Sequence, residues 1–289
     1  MKSKERKALT AMPVVLMLGV ILALSGSDGG LTWGSMPLFA LAVLTSFIVQ
    51  WVAFIPSFLG QTERFYDLTG TLTYTAVTLL LLLLAPEVHS RSLLLAFMVL
   101  AWTLRLGIFL FRRVNRDGKD DRFDQIKPSF IRFFSVWTIQ GLWVSFTAAT
   151  AWAAMTSERA SELDGFALAG FVIWAIGLGV ESLADHQKSI FKRDPENKGE
   201  FISSGLWSKS RHPNYFGEIL LWIGVAVVAA PALRHWQWVV MISPVFVAVL
   251  LIKISGVPLL EAKAESKWGG RSDYEAYKEN TPVLIPKFW

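Results

Sequence analysis

The stretch Ser210-Arg-His-Pro-Asn-Tyr-Phe-Gly-Glu218 gathers a guanidinium, an imidazole, a carboxamide, a phenol and a carboxylate just before an apolar run. Asn214 and Glu218 stand four residues apart, so a helix starting near Pro213 puts both on one face. So many hydrogen-bonding groups at the mouth of an apolar helix suit a polar ligand. An ordinary capped helix start is the plainer alternative. A metal held by His212 and Glu218 lacks further ligands, because the chain has four His and no Cys, and no metal centre is expected.

Three other places carry chemistry. Glu181 and Asp185 are four apart at the end of an apolar run, and Lys188 and Lys192 continue their stripe. Two neighbouring carboxylates repel unless a cation or a donor sits between them; a solvated helix exit with paired side chains is the alternative. Arg105 lies mid-way along another apolar run, about 10 Å of helix from the boundary marked by Arg112 and Arg113. A cation there costs roughly 2.5–3.5 kcal/mol to insert, so it must pair, snorkel or line a wet cavity. Arg105, Arg112 and Arg116 share a helical face, which suits phosphates. Finally, Glu63-Arg-Phe-Tyr-Asp-Leu-Thr-Gly70 supplies Glu63, Tyr66 and Asp67, with Tyr74 two turns further on. These are candidate acids or donors, and Asp67 or Thr69 would equally serve as a helix cap. The run Asp117-Gly-Lys-Asp-Asp-Arg122 reads by itself as a solvated loop.

The elements that must position these groups are membrane helices. Eight apolar stretches approach the ~20 residues a bilayer span needs: roughly 10–25, 37–59, 71–86, 92–111, 130–155, 165–183, 215–231 and 237–256. With the N-terminus placed inside, 23 of the 28 Lys and Arg fall on one side, 3 on the other and 2 within spans. That bias predicts both termini in the cytoplasm, with every chemistry-bearing loop beside them. The basic run before the first stretch also fits a cleaved signal peptide, but the charge count already closes with this helix retained.

Composition agrees. Of 289 residues, 53% are hydrophobic and only 18% charged, against about a quarter charged in soluble domains. The 13 Trp and 20 Phe suit a water–lipid interface. The absence of Cys excludes disulfides, a cysteine nucleophile and Cys-ligated metals. Net charge is +5, and the cytoplasmic loops account for it without a nucleic-acid partner. The expected fold is therefore all-α, a polytopic bundle of about eight transmembrane helices. Phosphate-binding and hydrolase-type glycine motifs are absent.

Taken together, these residues resemble the steroid 5α-reductase C-terminal family, most closely its bacterial branch of membrane reductases. The resemblance rests on Ser210–Glu218, Arg105-Leu-Gly107 with Arg112-Arg113, Asp120-Asp-Arg122, Glu181 to Asp185 with Lys192, and Gly199-Glu200. Ser204-Gly-Leu206, Tyr274, Tyr277 and the closing Thr281-Pro-x-x-Ile-Pro286 complete it. It covers roughly residues 60–289, leaving 1–59 as two preceding helices. Arg-His-Pro-x-Tyr alone also occurs in isoprenylcysteine and phospholipid methyltransferases. The resemblance implies NADPH in a cytosol-facing pocket. Its implied contacts are Arg105, Arg113, Asp121, Arg122, Glu181, Asp185, Lys192, Arg211, His212, Asn214, Tyr215 and Glu218.

One departure matters for chemistry. The family's catalytic tyrosine falls at Trp102, and an indole cannot protonate an enone oxygen. The acid is then sought among Tyr66, Asp67, Tyr74 and Glu63. The expected reaction is reduction of the C=C bond of an apolar enone drawn from the bilayer. Two further readings stay open: an S-adenosylmethionine-dependent methyltransferase on the same scaffold, and a non-enzymatic transporter or scaffold. The oligomeric state is not legible.

Overall fold

The computed structural model describes residues 3–117, 123–159 and 162–287. It divides into two compact units, Met1–Ala167 with Val228–Ser243, and Leu168–Val227 with Pro244–Trp289.

The first unit holds α1 (Ser3–Ser27), α2 (Leu38–Leu59), α3 (Tyr66–Leu84), α4 (Ser90–Asp117) and α5 (Phe130–Met155). A short hairpin, β1 (Thr32–Trp33) against β2 (Met36–Pro37), turns at Gly34, whose φ of 60° favours glycine. Helix α5 packs against α1, α2, α3 and α4, and most of its length is buried. A helix surrounded by helices need not be greasy, and α5 is rich in Thr, Ser, Ala and Trp. Its polar groups are answered locally. Trp51 Nε1 donates to Thr138 Oγ1 (3.1 Å), Thr150 Oγ1 to the Val240 carbonyl (3.0 Å) and Ser243 Oγ to the Thr147 carbonyl (2.6 Å). At one end, Phe54, Phe123, Phe133 and Trp137 form a buried aromatic cluster with Tyr66 packed on it.

Helix α1 docks on this unit. A Cβ on Gly26 would lie 2.2 Å from the Phe39 ring, and one on Gly19 would lie 2.9 Å from Phe47. These two glycines, seven residues apart, let α1 lie close against α2.

Among the described residues, seven helices are long and apolar enough to cross a membrane: Lys4–Ser27, Leu38–Leu59, Tyr66–Leu84, Ser90–Arg112, Gly165–Arg193, Pro213–Ala232 and His235–Trp268. Large apolar side chains such as Met17, Val20, Leu24, Leu104 and Leu168 stand exposed along these helices, as a lipid-facing surface requires and a watery one disfavours. The expected stretch 130–155 coincides with α5 but is less apolar than those seven.

Away from these surfaces, Arg91 is buried at the start of α4. Its Nη1 donates to the Val228 carbonyl (2.6 Å), and its Nη2 donates to the Glu162 carbonyl (2.7 Å) and lies 2.9 Å from Asp164. Asp164 also accepts from the Ala167 N–H (3.0 Å), capping α6 (Gly165–Arg193). The Arg91 hydrogen bond, then this backbone N–H, hold the Asp164 carboxyl below its ordinary value of 3.8. A depressed carboxyl stabilises the fold above its unfolded pKa, and that stability is lost as pH falls through the folded value. Asp164→Asn is therefore expected to lower the melting temperature at pH 7. The difference from the native chain should narrow as pH drops below 3.8, and a pH series of thermal melts in detergent measures it.

The second unit is built from α6, α7 (Pro213–Ala229), most of α8 (Ile242–Val249), a π-helical turn over Leu250–Ile254, α9 (Val257–Trp268) and α10 (Ser272–Asn280). Helices α6 and α7 touch backbone to backbone. A Cβ on Gly177 would lie 2.5 Å from the Leu221 nitrogen. One on Gly217 would lie 2.6 Å from the Glu181 nitrogen, and one on Gly224 2.5 Å from the Trp174 nitrogen. Small residues at such crossings allow close van der Waals packing, the main attraction between helices in lipid.

Candidate functional site

The glycine crossing brings the motif of α7 against the end of α6. Gly217 lies on the Glu181 backbone, and one turn away the Asn214 amide donates to Asp185 Oδ1 at 3.3 Å. The other atom of that amide, Asn214 Oδ1, is buried and receives no hydrogen bond among the described residues. Glu181 is buried, while Asp185 and Glu218 are half-buried. The structure thus joins two pairs that the sequence shows only separately.

The segment before α7 is clamped from three sides. Ser210 Oγ accepts from the His212 N–H (3.2 Å) and donates to the Leu284 carbonyl (2.8 Å); the Arg211 N–H donates to the Pro282 carbonyl (2.9 Å). Glu261 on α9 holds two side chains of the motif, with Arg211 Nη1 at 2.7 Å from one oxygen and His212 Nε2 at 2.7 Å from the other. The His212 ring stacks on Tyr215 at 5.5 Å, and its Nδ1 is buried without a hydrogen-bond partner among the described residues. Tyr277 donates to the Trp207 carbonyl (2.7 Å), Trp207 Nε1 donates to the Ala184 carbonyl (3.0 Å), and Lys188 lies 4.2 Å above the Trp207 ring. Phe201, Trp268, Tyr274 and Tyr277 form an aromatic box that ties the C-terminal segment down. Burial holds the Tyr277 phenol well above its ordinary pKa.

Glu261 is absent from the sequence reading. Its signal is faint: one carboxylate in Val257-Pro-Leu-Leu-Glu, with nothing to show that it meets residues 50 positions upstream. The glycine crossing was legible in principle, since Gly170 with Gly177 and Gly217 with Gly224 each repeat at seven residues.

In the first unit the candidate acids separate. Glu63 is buried with its carboxylate 2.5 Å from Lys127 Nζ, and this hydrogen bond raises the lysine above its ordinary value of 10.5. Tyr66 donates to the Val136 carbonyl (3.2 Å) within the aromatic cluster. Asp67 lies in the first turn of α3, where a carboxylate suits the helix dipole. The capping alternative does not hold in this geometry: Phe65 occupies the cap position, and Thr69 Oγ1 donates back to the Phe65 carbonyl. Tyr74 is buried edge-on against Trp102, ring centres 5.2 Å apart. Thr75 meets Thr103 (3.3 Å), and Gly107 faces Thr71. Half-buried Arg105 therefore lies on the stretch of α4 packed along Thr71–Thr75. Lys192 is exposed at the end of α6. The Arg113 side chain, Asp121 and Arg122 lie outside the described residues.

With this geometry in hand, similarity to known proteins narrows the reading. A family model, described as a protein of unknown function (DUF1295), matches residues 53–281. The chain belongs to the DUF1295 family. A probable O-methyltransferase of Ustilaginoidea virens is 37% identical over 82 residues, 26% of this chain and 29% of that protein. An uncharacterized protein of Schizosaccharomyces pombe is 29% identical over 234 residues, 68% of this chain and 67% of its own. The rat 3-oxo-5-alpha-steroid 4-dehydrogenase 1 is 26% identical over 119 residues, 41% of this chain and 40% of that enzyme. This DUF1295 chain thus has distant relatives named as steroid 5α-reductases and one named as a methyltransferase. No solved structure matches it.

Proposed function

We propose that this chain is a membrane-embedded, NADPH-dependent reductase of the C=C bond of an apolar enone. The observation that carries the proposal is the buried Asn214 Oδ1, an acceptor without a donor among the described residues, beside Asp185 at the α6–α7 crossing. A buried unanswered acceptor costs about 1–3 kcal/mol, and a carboxamide N–H of nicotinamide is the kind of group that would answer it. Asp185, Glu181 and Glu218 would take further donors of the carboxamide and ribose. Arg105, Arg113, Lys192 and Arg211 would take phosphates, with Asp121 and Arg122 assigned to the same nucleotide by resemblance. His212 and Tyr215 would present a flat stacked face. NADPH supplies the hydride; the chain's own residues orient, exclude water and donate a proton.

Of the candidates Glu63, Tyr66, Asp67 and Tyr74, proton donation is assigned to Tyr74 for its place. Glu63 pairs with Lys127, and Tyr66 donates to a backbone carbonyl. Tyr74 lies against Trp102, the position where the resembled enzymes carry a tyrosine. A phenol there would hydrogen-bond the carbonyl oxygen as enolate charge develops, a preorganised donor in a dry site.

The enzyme would cross the membrane eight times, with α5, about 39 Å long for its 26 residues, added to the seven apolar spans. Both termini would be cytoplasmic by the Lys and Arg bias. Residues 60–289 would form the catalytic part, which the family match over 53–281 supports. Placement in a bacterial inner membrane rests on the sequence resemblance alone. The substrate would enter from the bilayer.

The test is thermal unfolding of the purified protein in detergent with NADPH, NADH, S-adenosylmethionine or nothing. NADPH at a hundredfold excess over Kd is expected to add about 2.7 kcal/mol, and Asn214→Ala and Glu218→Ala to abolish the shift without lowering the unliganded melting temperature by a comparable amount. Stabilisation by S-adenosylmethionine instead would favour the methyltransferase reading, which the Ustilaginoidea virens relative supports.

A further inference from the structure

Within the second unit, α7 and α8 leave a groove of about 360 Å³ between them. Ile219 and Ile223 form one wall, and Val245, Ala248 and Ile252 the other. The lining is aliphatic apart from Lys253, the last lining residue along the chain. Lys253 is exposed, and among the described residues it has neither a hydrogen bond nor an ion pair. It sits in the π-helical turn over Leu250–Ile254, closed by the Ser255 N–H on the Leu250 carbonyl at 2.9 Å. Such turns are rare and concentrate at functional sites.

α7 and α8 lie within Pro213–Ala232 and His235–Trp268, two stretches long and apolar enough to span a bilayer, so the groove opens to hydrocarbon. An uncharged guest would need no ammonium beside it. An acyl chain carrying an anionic head satisfies both parts: methylenes against the isoleucines and valines, and a phosphate oxygen on the ammonium. By the Lys and Arg bias, Lys253 also lies on the basic side of the membrane, where anionic lipid concentrates in cytoplasmic leaflets. We infer that this groove is a specific site for one acyl chain of an anionic phospholipid, with its phosphate held by Lys253. The site is independent of the reductase reading and stands or falls without NADPH.

Native mass spectrometry of the full chain tests it, with dioleoyl phosphatidylglycerol, dioleoyl phosphatidylcholine and oleate as probes. Phosphatidylglycerol is expected to be retained at lower concentration than phosphatidylcholine. Lys253→Gln should weaken phosphatidylglycerol retention about fivefold, the worth of one lysine near an anionic surface, and leave phosphatidylcholine unchanged. Ala248→Phe, which fills the groove, should weaken both. Unfolding profiles of the variants show that each is folded; should Ala248→Phe fail there, Lys253→Gln decides alone. Equal retention by the native chain and Lys253→Gln would overturn the inference and leave non-specific annular lipid. Oleate bound more tightly than phosphatidylglycerol would overturn it as well, in favour of a free acid.

Discussion

Gly217→Ala is expected to lower the melting temperature by on the order of 5 °C or more and to abolish any stabilisation by NADPH, whereas Gly179→Ala is expected to raise stability slightly. The substitution is the same and both positions are helical, so propensity alone predicts a gain of up to about 1 kcal/mol in each case. The surroundings reverse the sign at Gly217. A new Cβ there meets the Glu181 nitrogen and the Gly177 oxygen at 2.6 Å, both backbone atoms of a long helix that cannot rotate away. At Gly179 it meets nothing within 4 Å. Restoring ordinary contact requires the helices to part by roughly 1 Å, and overpacking of this kind costs about 1–3 kcal/mol or more. Gly177→Ala should behave like Gly217→Ala, since its Cβ would meet the Leu221 nitrogen at 2.5 Å. The loss of cofactor response follows from position. Gly217 lies between Asn214 and Glu218 and against Glu181, so moving α7 pulls Asn214 off Asp185. Thermal melts of the variants with and without NADPH decide the matter; Gly217→Ala as stable as Gly179→Ala would sink it.

The contrast shows what kind of information the sequence carries. Hydropathy located the helices because burial in lipid leaves a one-dimensional trace. The stretch 37–59 is α2 within a residue at one end, and 130–155 is α5. The same trace misjudges ends. The stretch 10–25 is only the middle of α1, which runs from Ser3 because charged residues such as Lys4 and Arg6 continue a helix into water. It is also blind to hydrogen-bond pattern. The single stretch 237–256 is a 3-10 turn over His235–Met241, then α8, then a π-turn, within one largely apolar run. Local pairs such as Asn214 with Glu218 were legible because helical geometry fixes them. The Asn214–Asp185 contact depends on how α6 and α7 cross, and Glu261 reaches the motif from a separate helix. No local pattern encodes that distance.

Tyr74→Phe is expected to reduce turnover of an enone substrate by about a hundredfold or more, the usual worth of a positioned acid, while leaving the NADPH-induced shift in melting temperature unchanged. The prediction separates chemistry from binding. Tyr74 belongs to the first unit, whereas Asn214 and Asp185, which carry the proposed nicotinamide contacts, belong to the second. Tyr66→Phe serves as the control. It removes one hydrogen bond to the Val136 carbonyl, so it should cost about 1 kcal/mol of stability and little activity. A second control uses the neighbour. Trp102 packs edge-on against Tyr74 at 5.2 Å, so Trp102→Tyr in the Tyr74→Phe background returns a phenol to the same patch of α3 and α4. Partial recovery of turnover is expected there, since the chemistry needs an acidic hydroxyl at that place rather than one particular residue. The gain is offset by the smaller ring, which leaves space in a core where Trp102 is fully packed and so lowers stability without restoring full rate. If Tyr74→Phe turned over normally and Tyr66→Phe did not, the acid would belong to the aromatic cluster near Glu63 and Lys127. The indole at position 102 would then mark a site where proton donation has moved to the start of α3 instead of one helix across.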